Sequence, residues 1–443
     1  LMRIDFLLLI VFITLNLLNL FSFLSTISSI AGLILTFSFI FIVISRNKNI
    51  YLFKSTSFYC FILIAIIAFF LNEIYPTVTV YTPLSMEESK GWSNENLRKL
   101  LSLMQLIILS VLISNIVDSS KKILIIYSTI LTILAILSLI LILENFGFID
   151  QFLTLERNGR ITIRGISQND FSYLFVCAII ISTGLFKSFY STYIIYILVF
   201  LSLLFLSGIL LTASLTSIIS LAIYPLLLVI RNFSFKKISS FLLIFFILIS
   251  SFSIYKTYHL IFPQVIVDRI EKTSGRVSAA QIERYGYHKL FSSRGAIWMG
   301  GFSLASESLL YGNGFSTYKR KLVKHIPNDY DFEVSWRAKD AHNLYLDILL
   351  SIGIVGLIFY VLFIIKLLYQ LNQTSKNNTY TNYSSLQFNL LLISLIFGIT
   401  HSIIFLKFFW IIIGLSFATI LINQNIYTYQ PKLEHKKISL IKH

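Results

Sequence analysis

The run Asp340-Ala341-His342-Asn343-Leu344-Tyr345-Leu346-Asp347, followed by Ile352-Gly353-Ile354-Val355-Gly356-Leu357, holds the residues in this chain best suited to chemistry. A polar stretch turns apolar here, so His342 is expected in the first turn of a helix. A helix N-terminus carries partial positive charge and free N–H groups. That field disfavours imidazolium, so His342 is expected to be neutral and able to accept a proton. Asn343 or Asp340 is positioned to cap the helix. Gly353 and Gly356 are expected on one face, where they would let another helix approach closely. The same residues also fit a plainer role, in which His342 only caps the helix.

Arginines form the second feature. Arg157, Arg160 and Arg164 cluster in one polar segment, within Arg160-Ile-Thr-Ile-Arg164-Gly165-Ile-Ser-Gln168-Asn169-Asp170. Arg276, Arg284 and Arg294 lie in a longer one, followed by Lys319, Arg320, Lys321 and Lys324. Guanidinium groups are planar, stay charged and bind phosphate oxygens in pairs. Arginines from both segments are candidates for holding a pyrophosphate. The plain alternative is a solvated basic surface or contact with lipid headgroups, most of all for Lys319 to Lys324. Asp329-Tyr330-Asp331 has the form of a divalent-metal D-x-D, but a lone match in a polar segment is weak. Lys407 and Glu73 lie in or near apolar runs, where an ionisable residue is a functional candidate or snorkels to the interface. His401 has no role assigned from sequence. The chain has no Walker A loop, GxSxG, HExxH or paired-cysteine metal motif, so ATP-driven pumps and hydrolases of those types are not indicated.

The elements that must position these residues are long apolar helices. Of the 443 residues, 56% are hydrophobic and only 13% charged, against about 25% charged in soluble domains. The apolar residues fall in runs that match the roughly 20 needed to cross a bilayer, and such runs must be helical in lipid. Twelve spans are expected: 4–24, 26–45, 56–72, 100–117, 123–143, 171–186, 193–210, 214–230, 238–257, 344–368, 385–400 and 403–423. The segment opening Leu1-Met2-Arg3 is read as a retained span. With the N-terminus inside, the inner segments hold 16 basic and three acidic residues, and the outer loops near 73–99 and 144–170 hold six basic and eight acidic. That asymmetry follows the positive-inside rule and puts both ends in the cytoplasm. Residues 258–340 form one polar outer stretch with 12 basic and eight acidic residues. A loop of that length is functional or disordered, and Trp298 and Trp336 argue for order. The formal charge of +16 is spread over inner loops and one outer loop, which excludes a nucleic-acid partner and fits anionic lipid. Cys60 and Cys177 lie in apolar runs and are read as small core residues.

On these residues the chain resembles the O-antigen ligase/polymerase superfamily. His342-Asn343-Leu344-Tyr345-Leu346 with Gly353 and Gly356 matches the H-N-x-[YF]-L…G-x-x-G pattern of that family. Ser293-Arg294-Gly295-Ala296-Ile297-Trp298 and Tyr311-Gly312-Asn313-Gly314 match its R…W…G-x-G stretch, without the proline common before it. Arg164-Gly165 with Asn169 resembles its R…G…P-N segment, with Pro-Asn replaced by Asn169-Asp170. Many members carry a Ser-Arg pair after the seventh span, whereas this chain reads Thr212-Ala213-Ser214-Leu215-Thr216. Arg160 and Arg164 are the candidates to replace that arginine.

The resemblance implies an all-α integral membrane protein with about 12 transmembrane helices, one large periplasmic loop and a C-type glycosyltransferase-like fold. The divisions are helices 1–9 over 1–257, the periplasmic loop over 258–341, helices 10–12 over 342–424 and a cytoplasmic tail over 425–443. It further implies an inverting glycosyltransferase on the periplasmic face of the bacterial inner membrane, with no metal and no cofactor. Its donor is an undecaprenyl-pyrophosphate-linked glycan, and its acceptor a second glycan or lipid A–core. A flippase and a chain-length regulator are possible partners. The implied catalytic base is His342. Arg160, Arg164, Arg276, Arg284 and Arg294 are the pyrophosphate candidates, supported by Asn343, Asp340, Gly312 and Gly314. Three readings stay open: a polymerase of repeat units, a ligase to lipid A–core, and a polysaccharide flippase. A flippase places its charges at the membrane midplane, whereas most charges here lie in outer loops.

Overall fold

The computed structural model describes residues 4–18, 55–74, 86–149, 154–157, 160–163, 167–186, 191–231, 293–326, 340–377 and 383–440. The expected spans 26–45 and 238–257 lie outside the described residues, as do Arg164, Arg276, Arg284, Trp336 and the Asp329-Tyr330-Asp331 motif. The other ten expected spans fall on helices. These are α1 (Ile4–Leu18), α2 (Thr56–Ile74), α3 (Met86–Ile116), α4 (Ser120–Asn145), α5 (Gln168–Leu185), α6 (Thr192–Thr212), α7 (Leu215–Arg231), α10 (Leu344–Asn377), α11 (Tyr383–Gly398) and α12 (Lys407–Leu440). The polar stretch before α10 contributes α8 (Ser293–Glu307) and α9 (Thr317–His325). Among the described residues, five segments are long and apolar enough to cross a membrane: Glu95–Ile116, Ser120–Asn145, Thr192–Thr212, Leu344–Lys376 and Lys407–Gln424. The all-α expectation needs one amendment. Strands β1 (Thr154–Arg157) and β2 (Arg160–Ile163) pair antiparallel, with Arg157 opposite Arg160. The dipeptide Asn158-Gly159 between them is the composition that two-residue hairpins favour.

The chain divides into two compact units, one of residues 1–38 and 121–275, the other of residues 39–120 and 276–443. In the first, α5 and α6 meet through Phe175 and Phe205, stacked at 6.0 Å. Gly208 makes that possible, because a Cβ there would fall 2.6 Å from the Phe175 ring. Ser138 of α4 donates to the Leu204 carbonyl of α6 at 2.8 Å. Ser167 caps α5, accepting from the Asp170 N–H at 3.1 Å. Between α6 and α7, Ala213 adopts a left-handed conformation (φ 48), and Ser214 donates to Asn169 Oδ1 at 3.0 Å.

In the second unit, α3 packs on α12, α2 on α10, and α10 and α12 on α11. Phe363 of α10 stacks on Phe417 of α12 and contacts Phe58 of α2 at 4.8 Å. Gly414 lets α12 approach α3, since a Cβ there would lie 2.8 Å from the Ser110 carbonyl oxygen. The polar stretch is folded where it is described. Ile297, Leu304, Tyr318 and Leu322 of α8 and α9 form one buried cluster with Leu346, Leu349 and Leu350 of α10.

Gly353 corrects the expectation that two glycines admit a neighbouring helix. It has φ 77 and ψ −178, and α10 kinks there. What approaches is the turn between α8 and α9. Asn313 N–H donates to the Leu350 carbonyl at 2.6 Å, Gly314 N–H to the Ser351 carbonyl at 3.0 Å, and Ile354 N–H to the Leu309 carbonyl at 2.7 Å. A kink frees backbone groups that lipid cannot satisfy, and this turn satisfies them. Gly312 permits the fit, because a Cβ on it would lie 2.6 Å from the Gly353 nitrogen. Gly356 has a different environment, its nearest neighbours being atoms of the Ile352 side chain one turn earlier.

Candidate active site at the start of α10

His342 precedes α10 and, with Ala213, is one of two non-glycine residues with positive φ among the described residues (φ 50). The left-handed region costs an L-residue roughly 1–2 kcal/mol, so neighbouring bonds must hold it there. On one side, Asn343 Oδ1 accepts from the N–H groups of Tyr345 at 2.9 Å and Leu346 at 3.0 Å. Asn343 is therefore the cap, as one of the two expected alternatives had it. On the other side, the flanks of Ala341 are both tied. Its N–H donates to Asp347 Oδ1 at 2.9 Å. Its carbonyl accepts from Trp298 Nε1 of α8 at 3.0 Å. His342 itself is partly exposed.

Asp340, the other capping candidate, instead pairs with Lys319 at 2.5 Å. Asp347, buried in the first turn of α10, also accepts from the Tyr318 hydroxyl of α9 at 2.5 Å. Burial, together with Asp347 and Asp340, raises the Tyr318 phenol well above its ordinary pKa, so it stays a donor. The surface-lysine alternative fails for two residues. Lys319 has a side chain only 12% exposed. Lys321 donates to Asn313 Oδ1 at 2.7 Å, and its burial lowers its pKa.

Arg294 stands in the first turn of α8, one turn before Trp298. Its Nη2 lies 3.3 Å from Nε2 of His401. His401 sits in the turn between α11 and α12, next to Ser402, which stands beside the Asp347 carboxylate. Arg294, His342, Asn343, Asp340, Gly312 and Gly314 all belong to the second unit. Arg160 opens β2 in the first.

Sequence reasoning missed Asn96 and left His401 without a role. Asn96 of α3 caps α9 from outside, accepting from the N–H groups of Ser316 at 2.7 Å and Thr317 at 3.2 Å. Its Nδ2 donates to Thr317 Oγ1 at 2.6 Å. An asparagine 220 positions away carries no local signal of such a cap. His401 was visible only as a polar residue between two apolar runs.

The arrangement offers a histidine whose backbone is fixed just before an apolar helix, and a guanidinium on the helix that braces it. No curated protein matches the chain. Residues 199–361 match the family model described as O-Antigen ligase, a stretch that takes in Arg294, Gly312, Gly314, His342, Asn343 and Gly353, begins after Arg160 and ends before His401. Over that segment this helical membrane protein is similar to the O-antigen ligase family.

Proposed function

We propose that the protein is an inverting glycosyltransferase on the periplasmic face of the bacterial inner membrane. It extends undecaprenyl-pyrophosphate-linked O-antigen or a related polysaccharide by joining repeat units. The observation that carries this reading is the left-handed His342, braced through Ala341 by the helix that bears Arg294. Strained non-glycine residues persist where surrounding bonds over-determine them, and they cluster at sites of chemistry.

An acceptor hydroxyl attacks the anomeric carbon of the donor. The new C–O bond forms as the bond to the pyrophosphate oxygen breaks, and configuration inverts. His342 takes the hydroxyl proton. Undecaprenyl pyrophosphate leaves as a stable anion and needs no general acid. Arg294 compensates the charge that develops on it. Arg160, Arg164, Arg276 and Arg284 are the further guanidinium groups assigned to the lipid pyrophosphate. Asp340, through Lys319, and the Gly312–Gly314 turn support the scaffold. The basic-residue asymmetry supports a twelve-span layout with both termini cytoplasmic, which would put these groups outside the membrane. A flippase and a chain-length regulator are the expected partners.

The family description favours a second reading, transfer of the finished glycan to lipid A–core. One assay separates the two. Membranes containing the protein receive a defined lipid-linked repeat together with either a second repeat or a core acceptor. Lengthened lipid-linked product supports the polymerase, and glycosylated core supports the ligase. No transfer to either acceptor rejects both. A deletion strain gives the same division: single-repeat lipopolysaccharide for a lost polymerase, bare core for a lost ligase.

A further inference from the structure

His401 is a buried polar group that the mechanism above does not use. Its exposure is 4%, and its ring stacks on Phe397 at 4.4 Å with planes 18° apart. Nε2 faces Arg294 Nη2 at 3.3 Å, and Nδ1 faces Thr400 Oγ1 at 3.1 Å. Thr400 Oγ1 in turn donates to the Phe397 carbonyl at 3.3 Å.

The ends of this chain fix its protons. A guanidinium only donates and a carbonyl only accepts. Arg294 therefore donates to a bare Nε2, and the ring carries its proton on Nδ1. That proton goes to Thr400, whose own hydroxyl proton goes to Phe397. Every link is consistent with neutral imidazole in one tautomer. Protonation at Nε2 would set one donor against another.

We propose that His401 is a positioning residue for Arg294: a neutral acceptor that holds the guanidinium in place for a phosphate of the lipid donor. This rests on the transferase reading above. A guanidinium on a long side chain loses conformational entropy when it binds, and an acceptor already in place reduces that loss. The effect should appear in donor binding more than in the chemical step.

The test uses the full chain in nanodiscs, with a short-chain polyprenyl-pyrophosphate-linked repeat as donor. His401→Phe keeps the ring and its stacking but has no acceptor. His401→Gln keeps an acceptor oxygen and an N–H. Loss of a hydrogen bond to a charged group is expected to raise the donor KM about tenfold in His401→Phe with a smaller change in kcat. His401→Gln should recover most of that. In an Arg294→Ala background, His401→Phe should add nothing further. A wild-type KM in His401→Phe, failure of His401→Gln to recover, or full additivity with Arg294→Ala would overturn the proposal. A purely packing role predicts that Phe is tolerated better than Gln, the reverse order. Should His401→Phe fail to accumulate, Thr400→Val removes the oxygen that fixes the tautomer, and the same cycle with Arg294→Ala decides. Absence of transfer by the wild-type protein would instead reject the transferase reading itself.

Discussion

Replacing Gly353 by alanine tests the kink that locks the α8–α9 turn onto α10. With φ 77 and ψ −178, Gly353 lies in a region that is essentially reserved for glycine, and alanine there costs roughly 1–3 kcal/mol in strain. The added Cβ would also overlap the Leu310 carbonyl and come 2.6 Å from the Tyr311 nitrogen. Both are backbone atoms and cannot rotate away. Relief requires the turn to lift, which breaks the three hydrogen bonds between residues 309–314 and 350–354. At about 1 kcal/mol each, the total reaches about 4–6 kcal/mol, comparable with the whole stability of many domains. Gly356→Ala is the control. Its Cβ would meet only the Ile352 side chain, which can change rotamer at a cost of about 1 kcal/mol. Purified variants in detergent, unfolded by heat and followed by tryptophan fluorescence, should therefore separate sharply, with Gly353→Ala unfolding far earlier. Equal effects at the two glycines would refute the reasoning and restore a simple helix-contact role for both.

His342→Ala should abolish transfer without loss of folding, and His342→Gly should be equally inactive while matching or exceeding wild-type stability, because glycine relieves a strain of roughly 1–2 kcal/mol. Transfer and melting measured on the same preparations decide this, and activity in either variant removes His342 as the base. Asn96→Ala should destabilise by about 2 kcal/mol through loss of the external cap of α9, and amide exchange at Ser316 and Thr317 should rise with it. Tyr318 has a folded-state pKa above its unfolded value. Its stabilisation is thus present below about pH 10 and is lost as pH rises toward the folded pKa, by up to about 1.4 kcal/mol per pH unit. Tyr318→Phe should show a shallower alkaline loss of stability than wild type between pH 10 and 11, and an unchanged slope would contradict it.

The sequence reported well what depends on neighbours along the chain. The apolar runs located ten helices, and Asn343 announced the start of α10 because a cap acts on amides two and three residues ahead. Helix ends were less visible. α3 begins at Met86 and α10 runs to Asn377, well past the apolar runs, because backbone hydrogen bonding continues where hydropathy falls. The kink was hidden for a related reason. Residues 352–357 keep an unbroken apolar pattern, and only contact with residues 309–314 gives Gly353 its conformation. The β1–β2 pairing was not expected, because four-residue strands leave no apolar run in a polar segment. The role of Asn96 and the partner of His401 were beyond reach, since the contacts lie 220 and 107 positions away.

Three residues assigned to chemistry among the described residues of the second unit share one circumstance: each lies at or beside a helix end. His342 stands before α10, Arg294 in the opening turn of α8, and His401 between α11 and α12. A helix interior cannot present such groups freely, because its backbone is committed and its side chains face neighbours or lipid. An interruption frees them but also frees backbone groups that must find partners within the protein. Here the interruptions supply partners for one another. Trp298 takes the Ala341 carbonyl, Asp347 the Ala341 N–H, and the turn at 309–314 the groups released by Gly353. Two of these bonds, those to Ala341, also hold the backbone of His342. It follows that Trp298→Phe, which keeps the ring but not the N–H, should lower kcat more than the roughly 1 kcal/mol it removes from stability would suggest. Freed of one restraint, the His342 backbone would sample the unstrained region, and the base would spend less time in place. If transfer by Trp298→Phe fell only in proportion to the folded fraction, the brace would be structural and the link between these bonds and the chemistry would be lost.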